Sequence, residues 1–198
     1  MEPEEIRELT ISALIIAIAF AIASNGGISS LLHPASLLIG FLYSTIAVSI
    51  GFILHELAHR FTARRFGCYA EYRMWKTGLL ISLLTSLFGF LFAAPGAVVI
   101  HPRIDLWGRI KTLTRKESGI IAAAGPVANF IVSFVFILSN LLWNHPILYS
   151  AAYLNAFLGI FNLIPFPPLD GEKILIWDKK MWGLLLVSGI ILLFFTVR

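Results

Sequence analysis

Charge is what this sequence has least of. Charged residues make up 13% of its 198 positions, and the blocks 9 to 54, 77 to 102, 118 to 169 and 181 to 197 contain no Lys, Arg, Asp or Glu. A soluble domain cannot cover itself with so few charges, and the 58% hydrophobic content and mean hydropathy of +0.86 place the chain among integral membrane proteins. Cysteine is almost absent too: Cys68 stands alone, which excludes an internal disulfide and any need for an oxidising compartment. Low-complexity segments and internal repeats are missing, so the expectation is a single membrane-embedded domain over 1–198. A net charge of +4 would suggest nucleic acid in a soluble protein. Here the basic residues flank apolar spans, which excludes nucleic acid as a partner and makes them topology signals in a lipid bilayer.

A span needs about 20 apolar residues, so each charge-free block is a membrane candidate. The first is long enough for two spans and is broken by Asn25-Gly26-Gly27 and His33-Pro34. The third is broken by Asn144-His145-Pro146, giving spans near 119 to 142 and 147 to 164. A last span covers about 181 to 197. The fold class is therefore an all-α membrane protein, a polytopic bundle of about five transmembrane helices. The block 77 to 102 could cross once, but Gly89, Pro95 and Gly96 interrupt it. A single crossing would also put the basic run Arg103, Arg109, Lys111, Arg115 and Lys116 on the other side from its basic neighbours. A re-entrant hairpin fits both facts.

Ala21-Ile22-Ala23 resembles a signal-peptidase site, but the residues before the apolar core (Glu2, Glu4, Glu5, Arg7, Glu8) are mostly acidic where a signal peptide is basic. The expectation is a retained first helix. Segments 60 to 76, 103 to 116 and 173 to 180 hold thirteen of the fifteen Lys and Arg, while the turns 25 to 36 and 143 to 147 hold none. The basic segments are expected to face the cytosol in a multi-pass protein of the cell membrane.

Against this background, His55-Glu56-Leu57-Ala58-His59 is the decisive feature. On a helix, residues i and i+4 share a face, so His55 and His59 can hold one metal ion while Glu56 reaches a water beside it. Two imidazoles and a carboxylate in an apolar span are unfavourable unless something binds them; a charged side chain there costs roughly 2.5 to 3.5 kcal/mol on insertion scales. With Arg64 and Arg65 at the headgroups, the motif lies roughly 9 to 15 Å deeper at 1.5 Å per residue, and water must reach it through a polar cavity.

A catalytic zinc site usually has three protein ligands and one open position. Past the second histidine the candidates are His101, Asp105, His145 and Asp170, with His145 on the opposite face of the membrane. Asp170 stands out because it closes Asn162-Leu163-Ile164-Pro165-Phe166-Pro167-Pro168-Leu169-Asp170-Gly171, where three prolines end the preceding span. The bland alternative is a proline-rich helix end with Asp170 capping the next helix.

Three motifs together, HExxH at 55 to 59, Gly125-Pro126-Val127-Ala128-Asn129, and NxxPxPxLDG at 162 to 171, resemble the site-2 protease family of intramembrane zinc metalloproteases. The chain is similar to its compact form, with no stretch for a PDZ or CBS domain. The resemblance implies that His55, His59 and Asp170 ligate one Zn²⁺ per chain and that Glu56 is the catalytic base. It implies more weakly that Asn129 and Asn162 organise the core or the substrate. Gly125-Pro126 reads equally well as a small-residue packing notch. The implied activity is hydrolysis of peptide bonds within or near the membrane spans of a transmembrane protein substrate, at a site opening toward the cytosol. The family also places short strands after the HExxH helix, and Tyr69 to Thr77 could supply them for strand addition or serve as an aromatic belt. A metal transporter or sensor, or an inactive scaffold, would use the same ligands. Glu56 separates these readings, because hydrolysis needs an acid beside the ligand and transport does not.

Overall fold

In the computed structural model, which describes residues 1–104 and 110–196, the chain is a bundle of long helices with a small two-stranded sheet and a second pair of two-residue strands. Helix α1 (Pro3–Ser24) leads through a 3₁₀ turn (Gly27–Leu32) into α2 (Pro34–Arg65). Strand β1 (Tyr69–Met74), helix α3 (Lys76–Ser86) and strand β2 (Gly96–His101) follow, then the two-residue strands β3 (Arg103–Ile104) and β4 (Ile110–Lys111). Helices α4 (Arg115–Trp143), α5 (Pro146–Asn162), α6 (Asp170–Trp177) and α7 (Lys179–Thr196) complete the order. Among the described residues, α1, α2, α4 and α7 are each long and apolar enough to cross a membrane. At 17 residues α5 is one residue shorter than α7, and packs along α4 and α2. The fold is the all-α membrane bundle expected from the charge-free blocks.

The helices show why lipid is the solvent. On α2 the exposed side chains Leu38, Leu42, Ile46, Ile50 and Leu54 recur every fourth residue, one apolar stripe facing outward. The opposite face turns small and polar residues inward: Ser44, Ala47, Gly51, His55, Glu56 and His59 are buried. That is the reverse of a soluble amphipathic helix, with small residues allowing close helix approach and polar ones shielded in the bundle. At 32 residues α2 is about 48 Å long, well beyond the ~30 Å hydrocarbon core.

The block 77 to 102 returns to the side it started from. Met74, before α3, is the register partner of Gly96 after it, because β1 and β2 pair antiparallel from Tyr69↔His101 to Met74↔Gly96. The far end of α3 meets the turn between α1 and α2, where Ile28 N–H donates to the Leu87 carbonyl at 2.7 Å. Only the outgoing limb is helical. The returning limb, 89 to 95, is irregular, and irregular backbone at membrane depth needs partners within the protein. Ser82 and Thr85 of α3 supply them: Ser82 Oγ donates to the Phe92 carbonyl at 2.6 Å, and Phe92 N–H donates to Thr85 Oγ1 at 3.2 Å.

Two larger clusters of buried side chains hold the bundle, beside a small third one of Ala63, Cys68, Ala70 and Ile121. The larger joins α1, α2, the sheet, α3 and α5 through residues such as Ile16, Val48, Tyr72 and Leu154. The smaller joins α4, α6 and α7 through Phe130, Ile174 and Leu185. Tyr72 is 2% exposed and packs β1 into the core, while Tyr69 and Trp75 at the two ends of the segment are exposed.

Candidate metal centre

The carboxyl-terminal part of α2 carries His55 and His59 on its inward face, one helical turn apart. Their Nε2 atoms lie 3.0 Å from each other. Asp170, at the start of α6, places Oδ2 3.3 Å from His55 Nε2 and 3.1 Å from His59 Nε2. All three side chains are buried, at 5%, 6% and 9% exposure.

The outer hydrogen bonds decide what these atoms present. Asn129 Nδ2 donates to the Gly51 carbonyl and to Asn155 Oδ1, both at 3.2 Å, which leaves Asn129 Oδ1 as an acceptor for His55 Nδ1 at 2.6 Å. His59 Nδ1 donates to the Ile121 carbonyl at 2.7 Å. Each neutral imidazole thus has its proton on Nδ1 and a bare lone pair on Nε2. Two such lone pairs and a carboxylate oxygen facing one another repel unless a cation lies between them. Their separations are close to the ~3.3 Å expected for donors 2.0–2.1 Å from a tetrahedral zinc.

Gly125 supplies the space. A Cβ built there would meet His59 Nε2, and would lie 2.6 Å from His55 Nε2. Any side chain at 125 would therefore fill the volume into which the lone pairs point. The next residue, Pro126, has no N–H for the carbonyl of Ala122, so the α4 hydrogen-bond ladder is interrupted at a residue that lines the site.

Asp170 arrives by a short, constrained route. Three prolines between Asn162 and Asp170 deny the chain a helix, and the Pro167-Pro168 peptide is cis. Gly171 then lets α6 press on the end of α5, since a Cβ there would meet the Leu163 carbonyl. That same carbonyl accepts a 2.7 Å hydrogen bond from Trp182 Nε1 of α7.

The three atoms look into a cavity of about 880 Å³, counted with its open mouth. Glu56 lines it, buried, with Oε2 free of any hydrogen-bond partner among the described residues. Asn162 lines it as well, but its Nδ2 donates to the Leu158 carbonyl at 3.0 Å and it makes no described bond to the trio. Of the other candidates, His101 lies 3.4 Å from Glu71 on an exposed face, and His145 caps α5 at the far end of the bundle. Asp105 lies outside the described residues. Asn155, completely buried behind Asn129, is a member that motif reading did not reveal.

The profile of peptidase family M50 matches residues 43–145 and 143–178, which takes in His55, Glu56, His59, Gly125, Asn129, Asn155 and Asp170. The chain belongs to peptidase family M50. It is 39% identical to "Putative zinc metalloprotease MJ0611" of Methanocaldococcus jannaschii over 91% of this chain and 87% of that one. It is 28% identical to "Zinc metalloprotease MJ0392" of the same organism, over 90% of this chain and 43% of the relative. Against "Putative zinc metalloprotease YwhC" of Bacillus subtilis the identity is 29%, over 73% and 71%. No solved structure gives a significant match. Membership in M50 makes the chain a membrane metallopeptidase of the site-2 protease family, and its histidine–aspartate trio is where a metal ion fits.

Proposed function

We propose that this M50 member is an intramembrane zinc metalloprotease that hydrolyses peptide bonds within or near the membrane spans of transmembrane protein substrates. His55, His59 and Asp170 would hold one Zn²⁺ per chain, and Glu56 would act as base. The observation that carries this reading is the meeting of His55 Nε2, His59 Nε2 and Asp170 Oδ2 beside a Glu56 carboxyl oxygen that has no partner among the described residues, inside the bundle of an M50 chain.

When bound, zinc supplies Lewis-acid polarisation of the scissile carbonyl and acidifies a water. Asn129 and the Ile121 carbonyl hold both imidazoles in the Nδ1-protonated form, which keeps Nε2 available as a ligand. Glu56 accepts a proton from the attacking water as its oxygen bonds to the carbonyl carbon. It then delivers that proton to the leaving amine as the C–N bond breaks.

A transmembrane helix satisfies its own backbone, so it must unwind before attack, and the freed N–H and C=O groups then need new partners. The sequence-based expectation put strand addition at Tyr69 to Thr77. In the structure β1 is taken on both edges, by β2 on one side and by side chains of α1 and α2 on the other. Among the described residues the edge left open is that of β2, whose Gly96, Val98 and Ile100 line the cavity. Strand addition is therefore proposed there. The basic residues that end α2 and begin α7, Arg64, Arg65, Lys179 and Lys180, together with Lys173 in the cavity lining, favour a cytosolic opening.

The test is cleavage of a reporter transmembrane substrate by purified wild type and Glu56→Gln. Equal zinc in both, with cleavage by wild type alone, is expected; equal cleavage by both would remove Glu56 from its assigned role.

A further inference from the structure

The first turns of α1 carry acidic residues, and the ordinary reason for acids at a helix amino terminus is the helix dipole. Glu4 fits that account: it is exposed and 3.9 Å from the equally exposed Arg7. Glu5 does not, because it is only 5% exposed and its partners lie far away in sequence. Glu5 Oε1 accepts from Tyr72 N–H at 3.1 Å, and Glu8 Oε2 accepts from Met74 N–H at 2.9 Å. Arg60, the residue after His59, donates from Nε to the Ala70 carbonyl at 3.1 Å, and its Nη2 forms a 3.1 Å ion pair with Glu5 Oε2.

Along a strand, backbone groups at alternate positions point to the same edge. Ala70, Tyr72 and Met74 are three such positions, and all three have groups engaged from outside the sheet. Glu5 and Glu8, one turn apart on α1, thus occupy the place a third strand would take. An exposed strand edge invites pairing with any extended chain, and this arrangement closes one edge of the sheet while β2 keeps the other, beside the cavity, free of partners among the described residues.

We infer that Glu5, Glu8 and Arg60 form a side-chain clamp that closes the outer edge of β1 and thereby positions β2 beside the candidate metal centre. They are positioning residues, not catalytic ones. Arg60 ties the clamp to the helix that bears both histidines, and Tyr72 Oη, donating to Ser12 Oγ at 2.9 Å, adds a second tie to α1. The clamp itself stands on the geometry, and only its kinetic consequence rests on the proposed protease reading.

The experiment compares wild type, Glu8→Ala and Glu8→Gln as full chains in detergent, by amide hydrogen exchange, zinc content and cleavage of a reporter transmembrane substrate. Glu8 is only half-buried, so its variants are the ones suited to folding. Glu8→Ala is expected to speed exchange across 72–74 and 96–101 by about fivefold, the scale of one lost hydrogen bond. Zinc content should hold and KM should rise with kcat little changed. Glu8→Gln keeps a carbonyl acceptor and should behave as wild type. Unchanged exchange at 96–101 in Glu8→Ala, an equal defect in Glu8→Gln, or a joint loss of zinc and kcat at constant KM would each overturn the inference. Loosened exchange in a chain whose wild type cleaves nothing would sink the protease reading and leave the clamp standing.

Discussion

At the scale of single residues, the centre depends on what is absent at position 125 as much as on the ligands. Gly125→Ala adds one methyl group in the path of both Nε2 lone pairs. Its zinc content, measured by elemental analysis of folded protein, should fall from about one per chain toward zero. Asn129 acts through its oxygen: Asn129→Ala leaves His55 Nδ1 without its acceptor and frees the ring to rotate. Metal affinity by competition with a chelator should drop roughly 10- to 100-fold, the range typical of lost outer-shell partners; an unchanged affinity would show that the bond does not orient the ligand. The histidine pair was legible in the sequence because helical spacing alone puts i and i+4 together. Asp170 was legible as a candidate through its prolines and its motif. Gly125 was legible as a small-residue notch, but not that its missing side chain leaves room beside the histidines; that space and Asn155 exist as parts of the site only once α2, α4 and α5 approach one another.

At the scale of elements, the segment from α3 to β2 was read correctly as returning and incompletely as a hairpin. Gly89, Pro95 and Gly96 signal that a single helix is broken, but they do not say whether the second limb is helix or strand, and short apolar runs leave that choice open. The β-branched run Val98-Val99-Ile100 was the available signal for strand. The returning limb depends on Ser82 and Thr85 for its backbone partners. Replacing Thr85 by Val keeps the shape and removes the acceptor for Phe92 N–H, so it should destabilise the fold by ~1–3 kcal/mol. Thermal unfolding followed by circular dichroism would register that as a lowered midpoint, whereas an unchanged midpoint would mean that water or lipid headgroups already serve this backbone.

At the scale of the whole molecule, charge-free blocks gave the bundle and basic segments gave an orientation, since both are additive properties of composition that need no knowledge of packing. The side-chain clamp was not legible, because acids near the amino end are explained equally well by helix electrostatics until their partners are seen. Orientation can be tested with cysteine-reactive, membrane-impermeant reagents on a Cys68→Ala background. A cysteine at Arg64 should react only from the cytosolic side and one at Leu31 only from the opposite side; the reverse labelling would invert the proposed topology. If the proposed substrates are transmembrane helices that must unwind, substrates with Gly or Pro inside the span should be preferred. Cleavage rates for paired reporters with and without such a residue should differ in that direction, and equal rates would argue that unwinding is not required.

The most direct measurement of the central claim is zinc K-edge X-ray absorption on the purified chain. Two imidazoles from α2 and one carboxylate from α6 predict about one zinc per chain, scattering from two imidazole rings and only nitrogen or oxygen donors at roughly 2.0–2.1 Å. A spectrum without imidazole scattering, or one with sulfur in the first shell, would contradict the account.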